Sequence, residues 1–439
     1  MKKTIKLFNT ATRKIEEFKP IKKESVGMYT CGPTVYDQAH IGNLRAYVFS
    51  DILYRFLKST GFKVKWVMNI TDIDDKTLTR ARKEGRTLSD ITQKYFDLFL
   101  EDLRAVNACV DDIVFVKATD HFPEMRAMVD LLIKKGYAYE ANDGVYFDVS
   151  KFKDYGKFAG VEVGTDNSRS RINNDTYDKE SVQDFALWKK DPDYPDGRPG
   201  WHIECSAMSE KYLGLPFDIH TGGVDLIFPH HQNEIAQTKA ATGKNLANYW
   251  IHNEHLLVAG RKMAKSEHNF YTLRDVIERG FSAQALRLEL MKAHYRSKLD
   301  FSWENMKGCE TVLQEMKRFW SRSNIVKDTE SNLDVEYEKF ITAMSADLNV
   351  PEALSIVHKV INDNKNLGLG GRDFLRRVDE VLGLGIAVDV PEQIMVLVNA
   401  MDESRKDNNF DESDRLRKKI DELGYVVENS PDGSYAIRR

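Results

Sequence analysis

The stretch VGMYTCGPTVYDQAHIGNLRAYVFSDILYRFLKSTGFKVKWVMNI, residues 26–70, decides the fold. VGMYTC (26–31) and KVKWVMNI (63–70) are short apolar runs of strand type. Between them, residues from Gly42 to about Lys58 carry apolar side chains at three- and four-residue spacing, which predicts an amphipathic helix. Strand, helix and strand in this order make a βαβ unit with parallel strands. The first strand runs out at Cys31-Gly32-Pro33, so the loop toward the helix lies at the carboxyl edge of the sheet, where open α/β folds bind ligands.

Away from this unit the pattern changes twice. From His121 to about Pro199 come a helix, a hairpin over YAYEANDGVYFDVS (137–150) and the polar stretch VGTDNSRSRINNDTYDKES (163–181), which has loop composition. Strand-like segments return at DIH (218–220) and NYWIHNEHLLV (248–258), so the middle reads as an insertion within one α/β domain. Beyond about Gly260 the helical period takes over, over 272–295, 303–322, 333–347, 350–365, 370–383 and 392–406. The tail reads as a helix (411–423), a stop at Gly424, the strand YVVE, a turn at 430–433 and a closing strand SYAI. No internal repeat is evident.

Composition excludes several classes. With 439 residues, 42% hydrophobic and 30% charged, the chain is globular rather than disordered or fibrous. Lys and Arg number 64 against 68 Asp and Glu, a net charge of −4, so any nucleic-acid surface must be local. The window Arg261 to Arg322 is such a place, holding 13 Lys and Arg against 8 Asp and Glu. A solvated face would show the same charge run. No run of about 18 apolar residues is present, and MKKTIKLFNT turns polar too early for a signal peptide, so the expected location is the cytoplasm and no membrane is involved. Cys31, Cys109, Cys205 and Cys309 are too few and scattered for a disulfide framework.

Two short runs carry chemistry. HIGN (40–43) opens the first predicted helix, whose free N–H groups and partial positive charge suit a phosphate; Gly42 admits close approach and His40 can donate to a phosphate oxygen. A helix cap with a satisfied histidine explains the same four residues. GRKMAKS (260–266) places Lys262 and Lys265 on a glycine-led loop, which suits a polyphosphate but is also ordinary solvated surface. His230 and Glu234 stand four apart on an apparent helix beginning at Pro229, a zinc half-site by spacing. Cys31 and Cys205 lie beside a predicted strand end and a helix start that a parallel sheet could bring to the same edge. Buried thiols and a helix-surface pair remain an equal reading of these four residues.

Taken together, a strand leading to HIGN and a KMAKS loop after the last strand form the signature of class I aminoacyl-tRNA synthetases. The runs CGPTVYDQAHIGN, NITDIDDKT (69–77), GRPGWHIECSAMS (197–209) and DIHTGGVDLIFPHHQNE (218–234) resemble those of bacterial cysteinyl-tRNA synthetases in order and spacing, over nearly the whole chain. Departures are Asn43 for a second histidine, Ala264 for serine, Thr221 for glycine, Gln232 for glutamate and Glu267-His268 for Leu-Gly; none removes a group that must be charged.

The resemblance implies an α/β Rossmann-type catalytic domain with an insertion, followed by an α-helical bundle and a small α+β carboxyl-terminal domain. The implied boundaries are 1–120 with 200–259 for the catalytic domain, 121–199 for the insertion, 260–325 for the KMSKS-type loop and a basic stem-contact region, 326–397 for the bundle and 398–439 for an anticodon-binding domain. It implies a cysteine-tRNA ligase that forms cysteinyl-adenylate from L-cysteine and ATP with Mg2+ and transfers the cysteinyl group to tRNA(Cys). His40, Asn43, Lys262 and Lys265 would serve catalysis and, with Asp225, bind ATP. One Zn2+ per chain would be held by Cys31, Cys205, His230 and Glu234 and would select the substrate thiolate, since zinc prefers sulfur to a hydroxyl. Cys31, Thr71, Trp201 and His220 would form the cysteine pocket, with Trp201 as a wall and His220 closing over the side chain. Cys109 and Cys309 are left as packing residues. In the tail Arg405, Phe410, Asp414 and Asn429 fall on anticodon-contact positions, although Phe410 replaces a usual tryptophan, Asn429 a usual aspartate, and the family's terminal tryptophan is missing. A monomer is expected. The rival readings are the related ligase that joins cysteine to an aminosugar inositol and lacks the anticodon module, and a non-catalytic RNA-binding relative.

Overall fold

Residues 26–70 form the elements their periodicity predicts. After a hairpin of β1 (Lys6–Asn9) and β2 (Lys14–Glu17) come β3 (Ser25–Thr30), α1 (Ile41–Ser59) and β4 (Lys63–Ile70). In this computed structural model β3 and β4 pair in parallel with Met28 opposite Trp66. Leu44, Val48, Ile52 and Phe56 place one apolar face of α1 in the core. Two helices absent from the sequence expectation follow, α2 (Asp75–Glu84) and α3 (Leu88–Ala105), each opened by a side-chain cap, from Asp74 and Thr87. The structure describes residues 4–161, 171–172, 184–263, 269–326, 332–363, 368–430 and 433–438.

The strand β5 (Ile113–Lys117) extends the sheet beside β4. The insertion comprises α4 (Phe122–Lys134), β6 (Ala138–Ala141), β7 (Gly144–Phe147), β8 (Arg171–Ile172), β9 (Asp184–Asp191) and β10 (Tyr194–Pro199). Apart from 171–172, the polar stretch 163–181 lies outside the described residues. Then α5 (Trp201–Leu213), β11 (Phe217–Gly223), α6 (Gln232–Thr242) and β12 (Ala247–Asn253) complete a parallel sheet of order β12-β11-β3-β4-β5. The chain runs outward in opposite directions from β3, so the gap between the ends of β3 and β11 is the topological switch point. A short hairpin, β13 (Leu256–Val258) and β14 (Arg261–Lys262), follows.

One apolar cluster joins Val67 and Val116 of the parallel sheet to Met125 and Leu132 of α4 and to Phe147, Phe185 and Trp188 of the insertion. The insertion therefore shares its core with the sheet. It is also clamped by charge: Asp75, at the start of α2, meets Lys189 at 3.0 Å and Arg198. Burial would raise the Asp75 carboxyl, but the two cations outweigh it and hold it down to about 2.

Gly32 shows how tightly β3 and β4 end together. A Cβ there would lie 1.7 Å from the Asn69 carbonyl oxygen, while the Gly32 N–H donates to Asn69 Oδ1 at 2.8 Å. Gly32→Ala is expected to destabilise the chain by about 1–3 kcal/mol or more, read as a lower urea midpoint.

The chain divides into two units, residues 2–272 with 295–300, and residues 273–294 with 301–439. At the division, β15 (Leu299–Phe301) donates the Leu299 N–H to the His255 carbonyl at 3.2 Å. The second unit begins with a correction. The single helix expected over 272–295 is two, α7 (Leu273–Glu278) and α8 (Ala283–Met291), because Gly280 takes φ +85° and Ser282 caps α8. Next come α9 (Trp303–Arg322), α10 (Asp334–Ser345), α11 (Val350–Asp363), α12 (Leu369–Leu382), α13 (Glu392–Lys406) and α14 (Phe410–Glu422). A hairpin of β16 (Tyr425–Ser430) and β17 (Gly433–Arg438) ends it. Among the described residues no helix is long and apolar enough to cross a membrane.

Candidate active site

At the switch point lies a cavity of about 520 Å3. Its walls include the loop Cys31–His40, Gly42 and Asn43 of α1, Trp201 of α5, Asp225 and Leu226 after β11, Asn253–Leu256 from the last residue of β12 onward, and Lys262, Met263 and Phe270. The amino terminus of α1 thus faces the cavity. Asp225 and Lys262 lie on its wall, and Lys265 is outside the described residues.

The helix-cap reading of HIGN is realised at the start of α1. His40 Nδ1 accepts the Asn43 N–H at 3.2 Å and Asn43 Oδ1 accepts the His40 N–H at 3.1 Å, a reciprocal cap on α1. The His40 ring meets Phe270 edge-on at 5.1 Å, and Ile41 N–H bonds the Tyr271 carbonyl at 2.9 Å. Gly42 has a packing reason beyond any phosphate: a Cβ would sit 2.6 Å from Met263 Cε and 2.9 Å from His40 Nδ1. Met263 belongs to the GRKMAKS run, so the two motifs touch.

Arg45 is a site residue that sequence reasoning missed. Buried on α1, it donates to the carbonyls of Glu254 (2.8 Å), His255 (2.6 Å) and Ser297 (2.6 Å), fixing the loop that walls the cavity after β12. Burial lowers its pKa to about 10, against the pull of Glu254. In sequence it resembles any polar-face arginine.

Behind the cavity loop, Cys31, Cys205, His230 and Glu234 come together, each offering a ligand atom within 4.8 Å of the others, and all are buried. Cys31 follows β3, Cys205 sits on α5, and Glu234 lies in the first turn of α6. The helix proper begins at Gln232, not Pro229, after a wider turn kinked at Phe228 (φ −131°). The four-residue spacing still works, with His230 Nε2 3.1 Å from Glu234 Oε1. Cys31 Sγ lies 3.9 Å from Cys205 Sγ and 3.8 Å from Glu234 Oε1. Two thiols, an imidazole and a carboxylate at these separations suit the edges of a tetrahedron with zinc bonds of about 2.0–2.3 Å.

Among the protein groups alone, burial pushes Cys31 well up, with Cys205 adding to it. Burial also opposes a Cys205 thiolate, but the Cys31 hydrogen bond and His230 hold Cys205 down to about 6. Burial likewise opposes charge on Glu234 and His230; the contacts of Glu234 with His220 and His230 overcome it, giving about 2 for the carboxyl and about 10 for His230. A second overlapping donor set, Cys31, His220, His231 and Glu234, was not foreseen. His231 Nε2 is 3.3 Å from Cys31 Sγ, and its Nδ1 is 2.7 Å from His252 Nε2.

The cysteine-pocket residues separate. Trp201 is on the cavity wall, its ring 4.3 Å from that of His230. Thr71 is buried, donating to Glu204 Oε2 at 2.7 Å while its backbone pairs with Pro33 and Val35. His220 is fully buried: Nε2 is 2.9 Å from Glu234 Oε2 and the ring stacks on Trp250 at 4.4 Å. It braces the Glu234 carboxylate. Cys109 is partly buried and Cys309 buried; Cys309 donates to Glu289 at 3.2 Å.

In the second unit, α13, α14 and the last hairpin share a core of Ile394, Val398, Met401, Leu416, Ile420, Val427 and Ala436. Arg405 Nη1 donates to Asn429 Oδ1 at 3.0 Å, and Phe410, 62% exposed, lies four residues from exposed Asp414 on α14.

The family model described as tRNA synthetases class I (C) catalytic domain matches residues 17–311. A cysteine–tRNA ligase of Brachyspira hyodysenteriae is 41% identical, with 98% of each chain covered. One from Thermococcus onnurineus is 38% identical over 98% of each. Among solved structures, Mycobacterium tuberculosis methionyl-tRNA synthetase in complex with methionyl-adenylate has a similar fold, with a TM-score of 0.62 at 15% identity over 83% of this chain and 89% of that one.

Proposed function

The chain belongs to the cysteine–tRNA ligase family of class I tRNA synthetases and so activates cysteine with ATP and transfers it to tRNA; we propose that the switch-point cavity is where it does so. The observation that carries this reading is the buried Cys31, Cys205, His230 and Glu234 set at the edge of a cavity walled by both phosphate-type motifs. Similarity through 98% of the chain takes in the tail that the aminosugar ligase lacks, and so favours tRNA as acceptor.

In the first step the cysteine carboxylate attacks the α-phosphate of ATP and pyrophosphate leaves. The α1 amino terminus, His40, Lys262 and Lys265 stabilise the charge that develops there, and Asp225 holds the ribose. Zinc held by the four donors would bind the cysteine thiolate, a bond that a serine hydroxyl makes poorly at neutral pH. Trp201 shapes the pocket, Thr71 pins the loop at Pro33 and Val35, and His220 orients Glu234. In the second step the terminal adenosine hydroxyl of tRNA takes the cysteinyl group. Positioning supplies the rate, and no side-chain nucleophile is required. Mg2+ accompanies ATP, and the chain works as a cytoplasmic monomer. Cysteine-dependent exchange of pyrophosphate into ATP, together with zinc analysis of the purified protein, tests the assignment. Absence of exchange would reject it.

Arg405, Phe410, Asp414 and Asn429 are proposed as the anticodon readers, supported by the exposed Phe410 ring beside polar groups. Phe410→Ala is expected to lower kcat/KM for tRNA by about tenfold, the equivalent of about 1–3 kcal/mol for one stacked base, with cysteine activation unchanged.

A further inference from the structure

We propose that residues 152–161, the segment by which the insertion leaves its hairpin, form a strap that positions the metal donors from behind. The inference rests on the metal reading above. The strap is fixed by turns of its own, with Tyr155 N–H on the Phe152 carbonyl at 3.0 Å and Val161 N–H on the Gly156 carbonyl at 3.0 Å. Two of its side chains, Tyr155 and Phe158, are buried although the segment is a connection rather than a core element.

Tyr155 grips the helical side of the donor set. Its hydroxyl donates to Asn233 Oδ1, and its ring meets Phe228 edge-on at 6.5 Å. Phe228 and Asn233 bracket His230 and His231, and Asn233 adjoins Glu234. The Ala159 N–H adds a bond to Gln232 Oε1 at 3.4 Å, so the first turn of α6 is held at two consecutive residues. Phe158 supports the sheet side. Its ring packs on Trp250 at 5.0 Å and on His252 at 6.2 Å. Trp250 stacks on His220, which orients Glu234, and His252 bonds His231, which faces Cys31. The strap thereby reaches the donors through two independent routes, and none of its own atoms is a ligand. Ligand orientation by such outer groups controls metal affinity as well as activity. Tyr155 and Phe158 are positioning residues.

The test uses the full-length chain loaded with zinc. Tyr155→Phe, which removes one hydroxyl, is expected to speed transfer of zinc to a chromogenic chelator by about tenfold or more. It should also alter the visible absorption of the cobalt(II)-loaded protein, and raise KM for cysteine while leaving KM for ATP unchanged. Phe158→Ala should act in the same direction through the sheet side. Lys157→Ala, on an exposed strap residue paired with Asp154, should change none of these. If wild type retains zinc and both Tyr155→Phe and Phe158→Ala release it at the wild-type rate, the strap proposal is overturned and the metal reading stands. A lower melting temperature with unchanged zinc release and unchanged cysteine KM would also overturn it, leaving a purely structural role. A wild-type chain that holds no zinc would overturn the metal reading and the strap with it.

Discussion

Cys205→Ser is expected to lower cysteine-dependent pyrophosphate exchange by at least about a hundredfold, the upper end of what outer-shell changes cost a metal site, with KM for ATP unchanged. The reasoning starts from chemistry and size. Serine is close to isosteric with cysteine, and position 205 is buried in the second turn of α5, so the fold should survive. What is lost is the one sulfur that the surrounding groups hold down to about 6, and with it the most available thiolate of the donor set. A pocket that recognised cysteine by shape alone would separate it from serine by only about 1–3 kcal/mol. Discrimination should therefore fall along with rate. Equal losses in cysteine and ATP handling would mean that Cys205 supports the fold and not the metal.

The second large effect separates two duties of one residue. His40→Asn is expected to slow adenylate formation by about 100- to 1000-fold, as removal of a preorganised donor to developing charge does elsewhere. Asparagine is among the best helix caps, so α1 and overall stability should be preserved. His40→Ala should show the same catalytic loss and in addition a fall of about 0.5–2 kcal/mol in stability, because the Asn43 N–H loses its side-chain acceptor. If His40→Asn were as active as wild type, His40 would be a cap alone.

The sequence carried the βαβ unit to within a residue or two because an apolar strand run and the 3.6 period of a helix are both local. It carried His230 and Glu234 for the same reason, since i to i+4 spacing survived the kink at Phe228. Cys31 and Cys205 are 174 residues apart, and only a sheet that closes β3 against β11 brings them together; family resemblance, not spacing, named them. Arg45, His231, Tyr155 and Phe158 stayed invisible because each acts through a distant partner: a carbonyl at 254, an imidazole at 252, an amide at 233, an indole at 250. The helix break at Gly280-Phe281-Ser282 was legible from glycine and the serine cap, and periodicity overrode it. The packing of His220 was not legible, because a histidine in a β-strand can face either a cavity or a core, and here its ring stacks on Trp250.

The position of β3 at the centre of the sheet has a consequence for synthesis on the ribosome. β3, β4 and β5 emerge by Lys117, but the strand that covers the other side of β3 begins at Phe217, roughly 100 residues later, which at about 5–20 residues per second is an interval of about 5–20 s. Throughout that interval β3 is an open edge, able to pair with another nascent chain. The Cys31 thiol at its end meanwhile lacks Cys205, His231 and Glu234, the groups that later surround it. Slower translation of the insertion would lengthen the exposure, so yield in cells should respond to codon choice between Lys117 and Phe217 even when the mature protein is identical.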